Sequence, residues 1–509
     1  MPCLRLSLEN KGASSTRNCS MGNRGIGPQN CDAAFIASFV REQGGGKREI
    51  HAENGSDRDS SAARRKNFIL ESLPSRELVI QEVRGDFEGS FALLPSYIQE
   101  LKSGDAETCL QLLYQDEGHF TVFSGHSGAA IRAFRSTAGR LLVWMVRTFL
   151  TGKFRGCLLT ASCIDGNNCI LPLAWAVVEG ENRYSWQWFL EQLRDGVVGD
   201  RDSSRANTVL TIVSDRQKGL IDAVSDVFPD AAHGYCIYHL STNLPHAPKN
   251  TPAWRRFWAA ARAYTVAEFN EHMEKMKELN PEQYKYVVKL PRHRWATHCF
   301  LGRRYSMLTS NCAETINSVI RHLKGLPITY LVEETRKKTA CYFYQRKNNG
   351  KNITSVVTPY AEKILGSSRE TFRFYTLNPS TDVLFQVIAA DRTDVVDLSK
   401  KTCSCKRWDI DGIPCNHAMA AISFRLRDPY DFVEDWFMTS TYRATYNDCV
   451  PPTRGKEQWP AIPSNVVPPR PPNVRIQPGR RKSVMSSSSC LGDISFKTTS
   501  RFLRSALFP

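Results

Sequence analysis

The apolar positions of this chain fall first into three stretches of strand length, Leu141 to Val146, Cys157 to Ile164 and Ile170 to Val178. A polar Asp165-Gly166-Asn167 break between the second and third has turn composition, so the three predict an antiparallel meander. From Ser185 to Asp195 the period changes, with Trp186, Phe189, Leu190 and Leu193 recurring on one face of a helix. A buried strand is expected at Val209 to Ser214, a helix from Gln217 to Val227, and a short fifth strand near Gly234 to Cys236. Upstream, Leu78, Val79, Val83, Phe87, Phe91, Leu93, Leu94, Tyr97, Ile98 and Leu101 recur at helical spacings broken at Pro95, which predicts a small helical module. Residues 252–290, rich in Trp, Phe, Met and Lys, separate the fifth strand from a helix expected near Asn311 and are read as a helical insertion.

Meander, helix, strand, helix and strand, in that order, predict an α/β domain with an RNase H-like core: a mixed five-stranded sheet with helices. The expected organisation is a mostly disordered segment at 1–75, a helical module at 76–130, and the core at 131–348 with its insertion at about 245–300. A small zinc-stabilised module at 370–430 and a basic Pro/Ser-rich extension at 431–509 complete it.

The small module rests on Cys403, Cys405, Cys415 and His417, which form the pattern CxCx9CxH. Three thiolates and one imidazole close a tetrahedral zinc shell with no open position, so the site is expected to be structural. Lys406-Arg407-Trp408 and Gly412-Ile413-Pro414 fit a basic loop turning back to the metal, and a helix from Ala418 to Leu426 follows. Before it, Val383 to Ala389 and Asp394 to Leu398 have strand composition, and the whole arrangement resembles the SWIM zinc finger.

Charge narrows the partner. A formal net charge of +16 and a pI near 9.2 point to a polyanion, either nucleic acid or an anionic membrane surface. No apolar run approaches the ~18–20 residues that span a bilayer, and no secretory signal is seen at Met1 to Gly12, so insertion in a membrane is not expected and the 16 cysteines are expected as thiols or ligands. Residues 451–509 hold ten Lys or Arg against two acids, half the chain's excess, and include Arg480-Arg481-Lys482. That cluster reads either as a solvated linker or as a nuclear-import or phosphate-contact segment.

Longer stretches carry a family resemblance. Thr148 to Gly156, Asp165 to Ala174, Glu179-Gly180-Glu181-Asn182 with Trp186 and Phe189, and Ser214 to Leu220 are similar to the transposase domain of Mutator-like elements. So are Tyr235-Cys236 with His239-Leu240 and Asn243, and Ser310-Asn311 to Ala313-Glu314. Similarity to the plant members runs from about Arg76 to Pro460, with the SWIM finger in that family's usual place. The resemblance implies a metal-dependent enzyme acting on DNA in the nucleus, with Asp215 and Glu314 as its second and third acidic ligands for Mg2+ or Mn2+. Self-association into a homo-oligomer is compatible with it. The Cys236/His239 pair then belongs either to core packing or to a secondary ligand set, and Lys406, Arg407, Arg480, Arg481 and Lys482 become candidate DNA contacts. Trp295, Phe300 and Tyr305, interleaved with Arg294, Arg303 and Arg304, either pack in a core or stack on bases.

One departure changes the expected activity. Where the family carries an Asp-Gly pair before Thr-Phe-Leu, this chain has Val146-Arg147, so the first acidic ligand is missing. Asp165, at a hairpin tip, and Glu179 and Glu181, after the third strand, are expected to be poorly placed to replace it. Catalytic acids act as a unit, so the expected protein keeps the fold but cleaves DNA weakly or not at all. Three outcomes follow: a non-catalytic DNA-binding protein derived from a transposase, an active transposase, or a decayed copy without function.

Overall fold

The computed structural model describes residues 86–473 apart from residues 116, 137–141, 199–209, 246–248, 306, 309–322, 463 and 465. The segment 1–75, the Arg480-Arg481-Lys482 cluster and Glu314 lie outside the described residues.

Seven strands form one sheet: β1 (Cys109–Tyr114), β2 (Phe120–His126), β3 (Leu142–Phe149), β4 (Cys157–Ile164), β5 (Ile170–Val178), β6 (Thr211–Ser214) and β7 (Ala232–Tyr235), in the order β1-β2-β5-β4-β3-β6-β7. Strands β3, β4 and β5 are an antiparallel meander, and β6 and β7 continue the sheet parallel to β3. The five strands expected from the sequence thus lie side by side as β5-β4-β3-β6-β7 in a mixed sheet of seven. Residues 109–126, placed by sequence in a helical module, form a hairpin whose second strand pairs antiparallel with β5. The reason is the edge that a bare meander leaves at β5: its unpaired backbone groups are satisfied by β2.

Both faces of the sheet are covered, which is why β4 is buried at every position. On one face lie α2 (Gly128–Ser136), α3 (Arg183–Leu193) and α4 (Lys218–Val227). Asn182 and Gln217 start α3 and α4 by accepting the backbone N–H of Ser185 and Leu220, at 2.9 and 2.6 Å. Trp186, Phe189, Leu190 and Leu193 are all fully buried there, each contributing about 1.5–3 kcal/mol on removal from water. On the other face, α1 (Leu94–Gly104) and the start of a long helix whose range is given below cover Leu110, Phe123, Leu158 and Val177.

After β7 come α5 (Ile237–Thr242), α6 (Pro252–Arg262), α7 (Val266–Leu279) and α8 (Pro281–Val288). Thr251, Thr265 and Asn280 cap the last three, and these helices close their own apolar cluster around Phe257, Phe269, Met276 and Trp295. The long helix α9 (Ile328–Asn352) and α10 (Pro359–Thr371) lead to a second sheet of four strands: β8 (Thr376–Pro379), β9 (Leu384–Ile388), β10 (Thr393–Asp397) and β11 (Thr402–Cys403), ordered β11-β10-β9-β8. Two short helices, α11 (Arg407–Asp411) and α12 (Asn416–Phe424), pack on it, and α13 (Thr439–Thr445) returns to the first sheet. No described helix is long and apolar enough to cross a membrane.

The β4–β5 turn is a junction in this assembly. Asp165 is completely buried; its carboxylate accepts from the Tyr446 hydroxyl at 2.7 Å and from the backbone N–H of Asn167 and Cys169 at 2.9 and 2.8 Å. Arg346 of α9 stands 3.8 Å from the same carboxylate and donates to the Tyr446 hydroxyl at 2.8 Å. Burial pushes the Tyr446 phenol well above its usual range, with the Asp165 charge adding to the rise. Its acceptor capacity being used in this way, Asp165 is a tertiary anchor.

Candidate functional site

Local backbone geometry builds the metal centre. Cys403 ends β11, and the chain reverses at Lys406, whose φ of 65° lies in the left-handed region, to start α11. Gly412, at φ 75°, ends that helix where an added Cβ would meet the Trp436 ring at 2.9 Å. Cys415 then occupies the N-cap of α12 and His417 its first turn. The candidate ligand atoms of Cys403, Cys405, Cys415 and His417 lie within 4.8 Å of one another, and all four residues are buried. The Cys405 and Cys415 sulfurs are 3.5 Å apart and the Cys403 sulfur is 3.7 Å from His417 Nδ1. Tetrahedral Zn–S bonds of about 2.3 Å put ligand atoms about 3.5–3.8 Å apart, so the donor set fits zinc in type, number and spacing. Without an ion, hydrogen bonds from Cys403 and Cys415 hold the Cys405 thiol low, and Cys403 is pushed high by the same crowding.

A residue that sequence reading had counted only as strand completes the centre. Asp394, 1% exposed, stands with Oδ2 3.4 Å from His417 Nε2. Its carboxylate is fixed by Arg392 Nε at 2.5 Å and by the Ser404 hydroxyl at 2.6 Å. An acceptor on Nε2 leaves Nδ1 as the lone-pair nitrogen, and Nδ1 is the atom that faces the sulfurs. The signal was present in the chain: Asp394 shares the inward parity of β10 with Val396, and an acid on the buried side of a strand needs a partner.

The cations of this loop are engaged within the molecule. Lys406 pairs with Asp409 at 3.2 Å, and the Arg407 guanidinium lies 5.3 Å from the Tyr264 ring. Trp295, Tyr305 and Arg304 are buried, so packing accounts for them; Phe300 lies under the Arg304 guanidinium at 4.2 Å. Cys236 is the buried N-cap of α5, and His239 sits in that helix's last turn against the Tyr238 ring. Among the described residues, only Cys403, Cys405, Cys415 and His417 come together as three or more candidate ligands.

The second site is the sheet edge where β3, β5 and β6 end. In the β3–β4–β5 register Phe149, Cys157 and Val178 stand side by side, and β6 runs parallel to β3, so all three C-terminal ends share this edge. Asp215 follows the last residue of β6 and is half-buried. The Ser214 hydroxyl donates to the Asp215 carbonyl at 2.8 Å while His233 Nε2 lies 2.8 Å from the same oxygen of Ser214. Burial, with Arg294 and Arg304 nearby, depresses His233 to about 3, so it is neutral and its Nε2–H donates to Ser214.

The parallel register ends at the pair Trp144–Val213; Val146 lies two residues further along β3, and Asp215 directly follows the last residue of β6. Val146 is buried and carries no donor atom for a cation. Arg147 points to the opposite face, where its Nη1 meets Glu181 Oε2 at 2.5 Å and its guanidinium covers the Phe149 ring at 4.0 Å. Trp186 Nε1 donates to the other Glu181 oxygen at 3.2 Å. Burial pushes the Glu181 carboxyl up, Arg147 and Trp186 pull it down, and the Asp215 charge raises it again. Glu181 is therefore within electrostatic reach of Asp215, closer than its place after the third strand suggested, but it is already bonded to Arg147. Burial pushes the Glu179 carboxyl up, with His119 nearby acting against the rise. Among the described residues, Asp215 and Val146 do not make a pair of ligands for Mg2+ or Mn2+.

Comparison with protein families gives two matches: the MULE transposase domain over residues 143–243 and the SWIM zinc finger over residues 385–425. No curated protein matches the chain. The first match covers β3 through α5 and ends at Asn243, just before the helical insertion; the second covers β9 through α12 and contains all four metal ligands. With a MULE transposase domain ahead of a SWIM zinc finger, the chain matches a Mutator-like transposase with a C-terminal SWIM module.

Proposed function

We propose that this chain is a transposase-derived, DNA-binding nuclear protein whose RNase H-like core no longer cuts DNA efficiently and whose SWIM finger holds a structural zinc ion. The observation that carries the reading is that Val146, two residues past the Trp144–Val213 pair on β3 and where the family carries its first acid, is buried and has no donor atom for a cation. The strand order β5-β4-β3-β6-β7 supports the RNase H-like assignment, and the net charge of +16 supports a polyanionic partner. Asp215 and Glu314 are taken as surviving acids of the family's triad, with the first replaced at Val146.

Arg147 strengthens the case. It stands where the family has glycine and binds Glu181, a carboxylate on which the Asp215 charge acts. The test is Mn2+-dependent nicking of supercoiled and terminal-repeat DNA by the natural chain beside a Val146→Asp, Arg147→Gly double variant. Nicking by the double variant alone is expected. Equal nicking by the natural chain sinks the proposal in favour of an active transposase, and a purified chain that neither binds nor cuts DNA favours a decayed copy.

A further inference from the structure

We propose that the α8 end of the helical insertion and the loop after β6 form one track for a DNA phosphate backbone, carried by Arg216, Lys218, Lys285 and Lys289. This rests on the DNA-binding reading above and says where on the described surface it acts.

All four side chains are exposed. Arg216 directly follows Asp215 and donates to the Tyr286 hydroxyl at 2.6 Å, bridging from the sheet edge to α8. Its guanidinium lies 5.7 Å from the Tyr235 ring and 5.9 Å from the Tyr286 ring, which holds its planar fork without using its charge. Lys285 adjoins Tyr286, and Lys289 lies three residues beyond, where a helix presents neighbouring side chains. Lys218 opens α4 from the same loop as Arg216.

Several other surface cations are paired with carboxylates. One helix earlier in the insertion, Lys275 pairs with Glu271 at 2.5 Å and Lys277 with Glu274 at 3.4 Å. Arg183, Arg194, Lys337 and Arg303 likewise have carboxylate partners. None of Arg216, Lys218, Lys285 and Lys289 has one among the described residues. Unpaired cations interleaved with tyrosines are suited to a polyanion whose bound counterions they displace.

The experiment measures duplex DNA binding by the full zinc-loaded chain across a salt series, beside Arg216→Ala/Lys285→Ala/Lys289→Ala. Each lost phosphate contact lowers the slope of log K against log salt by about 0.9, so the triple variant should lose about 3 from the slope. Because Arg216 also packs on two tyrosines, Lys285→Ala/Lys289→Ala is run in parallel and should lose about 2. If the natural chain binds duplex DNA and both variants keep its slope, this track is wrong while the DNA-binding reading stands. If the natural chain does not bind DNA, that reading falls and the track with it. Tighter binding to RNA of equal length, lost in the same variants, assigns the track to RNA and overturns the proposal.

Discussion

Replacing Arg147 by glycine should destabilise the protein in a pH-dependent way, because it strips the cation from a carboxylate that folding has taken out of water. Glu181 is 10% exposed and Arg147 28%. Two charges about 4 Å apart at an effective dielectric near 20 attract by about 4 kcal/mol. The partial exposure of Arg147 and the desolvation of both groups reduce that, leaving a net loss of about 2 kcal/mol. The sign with pH follows from burial. Without Arg147, the Glu181 carboxyl keeps its largest upward influence, desolvation, and the upward push of Asp215, and loses one of its two downward ones. Its folded-state pKa then stands further above the unfolded value, so the variant gains stability as pH falls and loses it as pH rises through that folded pKa. Thermal melts at pH 8 and pH 5 measure this. The variant should fall below the natural chain by about 2–3 °C at pH 8, and by clearly less at pH 5. Adding Glu181→Gln in the same chain should recover most of the loss, since an amide carries no unpaired charge. A deficit equal at both pH values, or untouched by Glu181→Gln, would refute the claim that this ion pair is what the Arg147 position supplies.

Two other predictions concern residues whose roles only the tertiary structure reveals. Asp394→Ala should weaken zinc binding about 10–100-fold, by competition with a chromophoric chelator, because His417 loses the carboxylate that fixes its ring. Unchanged affinity would mean that the 3.4 Å approach does not orient the ligand. Asp165→Ala should cost about 3–5 kcal/mol in denaturant unfolding, because it leaves Arg346 and two backbone donors buried beside a missing anion. Tyr446→Phe, which removes one neutral donor from the same network, should cost about 1–2 kcal/mol. Equal losses from the two would show that the carboxylate is not the centre of the network.

The strands of the core were legible because each is a continuous apolar run ended by turn residues. Cys157–Ile164 and Ile170–Val178 have the bounds that the pattern implied. The β1–β2 hairpin was not, since Leu110, Phe120, Val122 and Phe123 form short runs that gain their partner only at the β5 edge, far along the chain. The gathering of Cys403, Cys405, Cys415 and His417 was legible from their spacing with the basic loop and helix around them, because a loop of that length brings its ends together. Asp394 and Glu181 were hidden for another reason: each meets its partner across strands. The clue for Glu181 is topological. In a meander followed by a parallel strand, the ends of the first, third and fourth strands must share an edge, which brings Arg147, Glu181 and Asp215 to one corner.

The finger's own cations bear on the proposed phosphate track. Asp411, at the end of α11, accepts from the Tyr264 hydroxyl at 2.7 Å, and Arg407 lies on that tyrosine's ring. Arg392, which fixes Asp394, also pairs with Glu268 of α7 at 2.8 Å, and Glu434 pairs with Arg303. The zinc module is therefore bonded to the helical insertion along the side that carries its basic loop. Charges used in this way add little to a phosphate contact, because binding DNA with them first requires breaking an internal pair. A bound zinc ion would then serve DNA recognition at one remove. It would fix β11, α11 and α12, these would hold the insertion through Tyr264 and Glu268, and the insertion would be left to present Lys285 and Lys289 on either side of the Tyr286 that bonds Arg216.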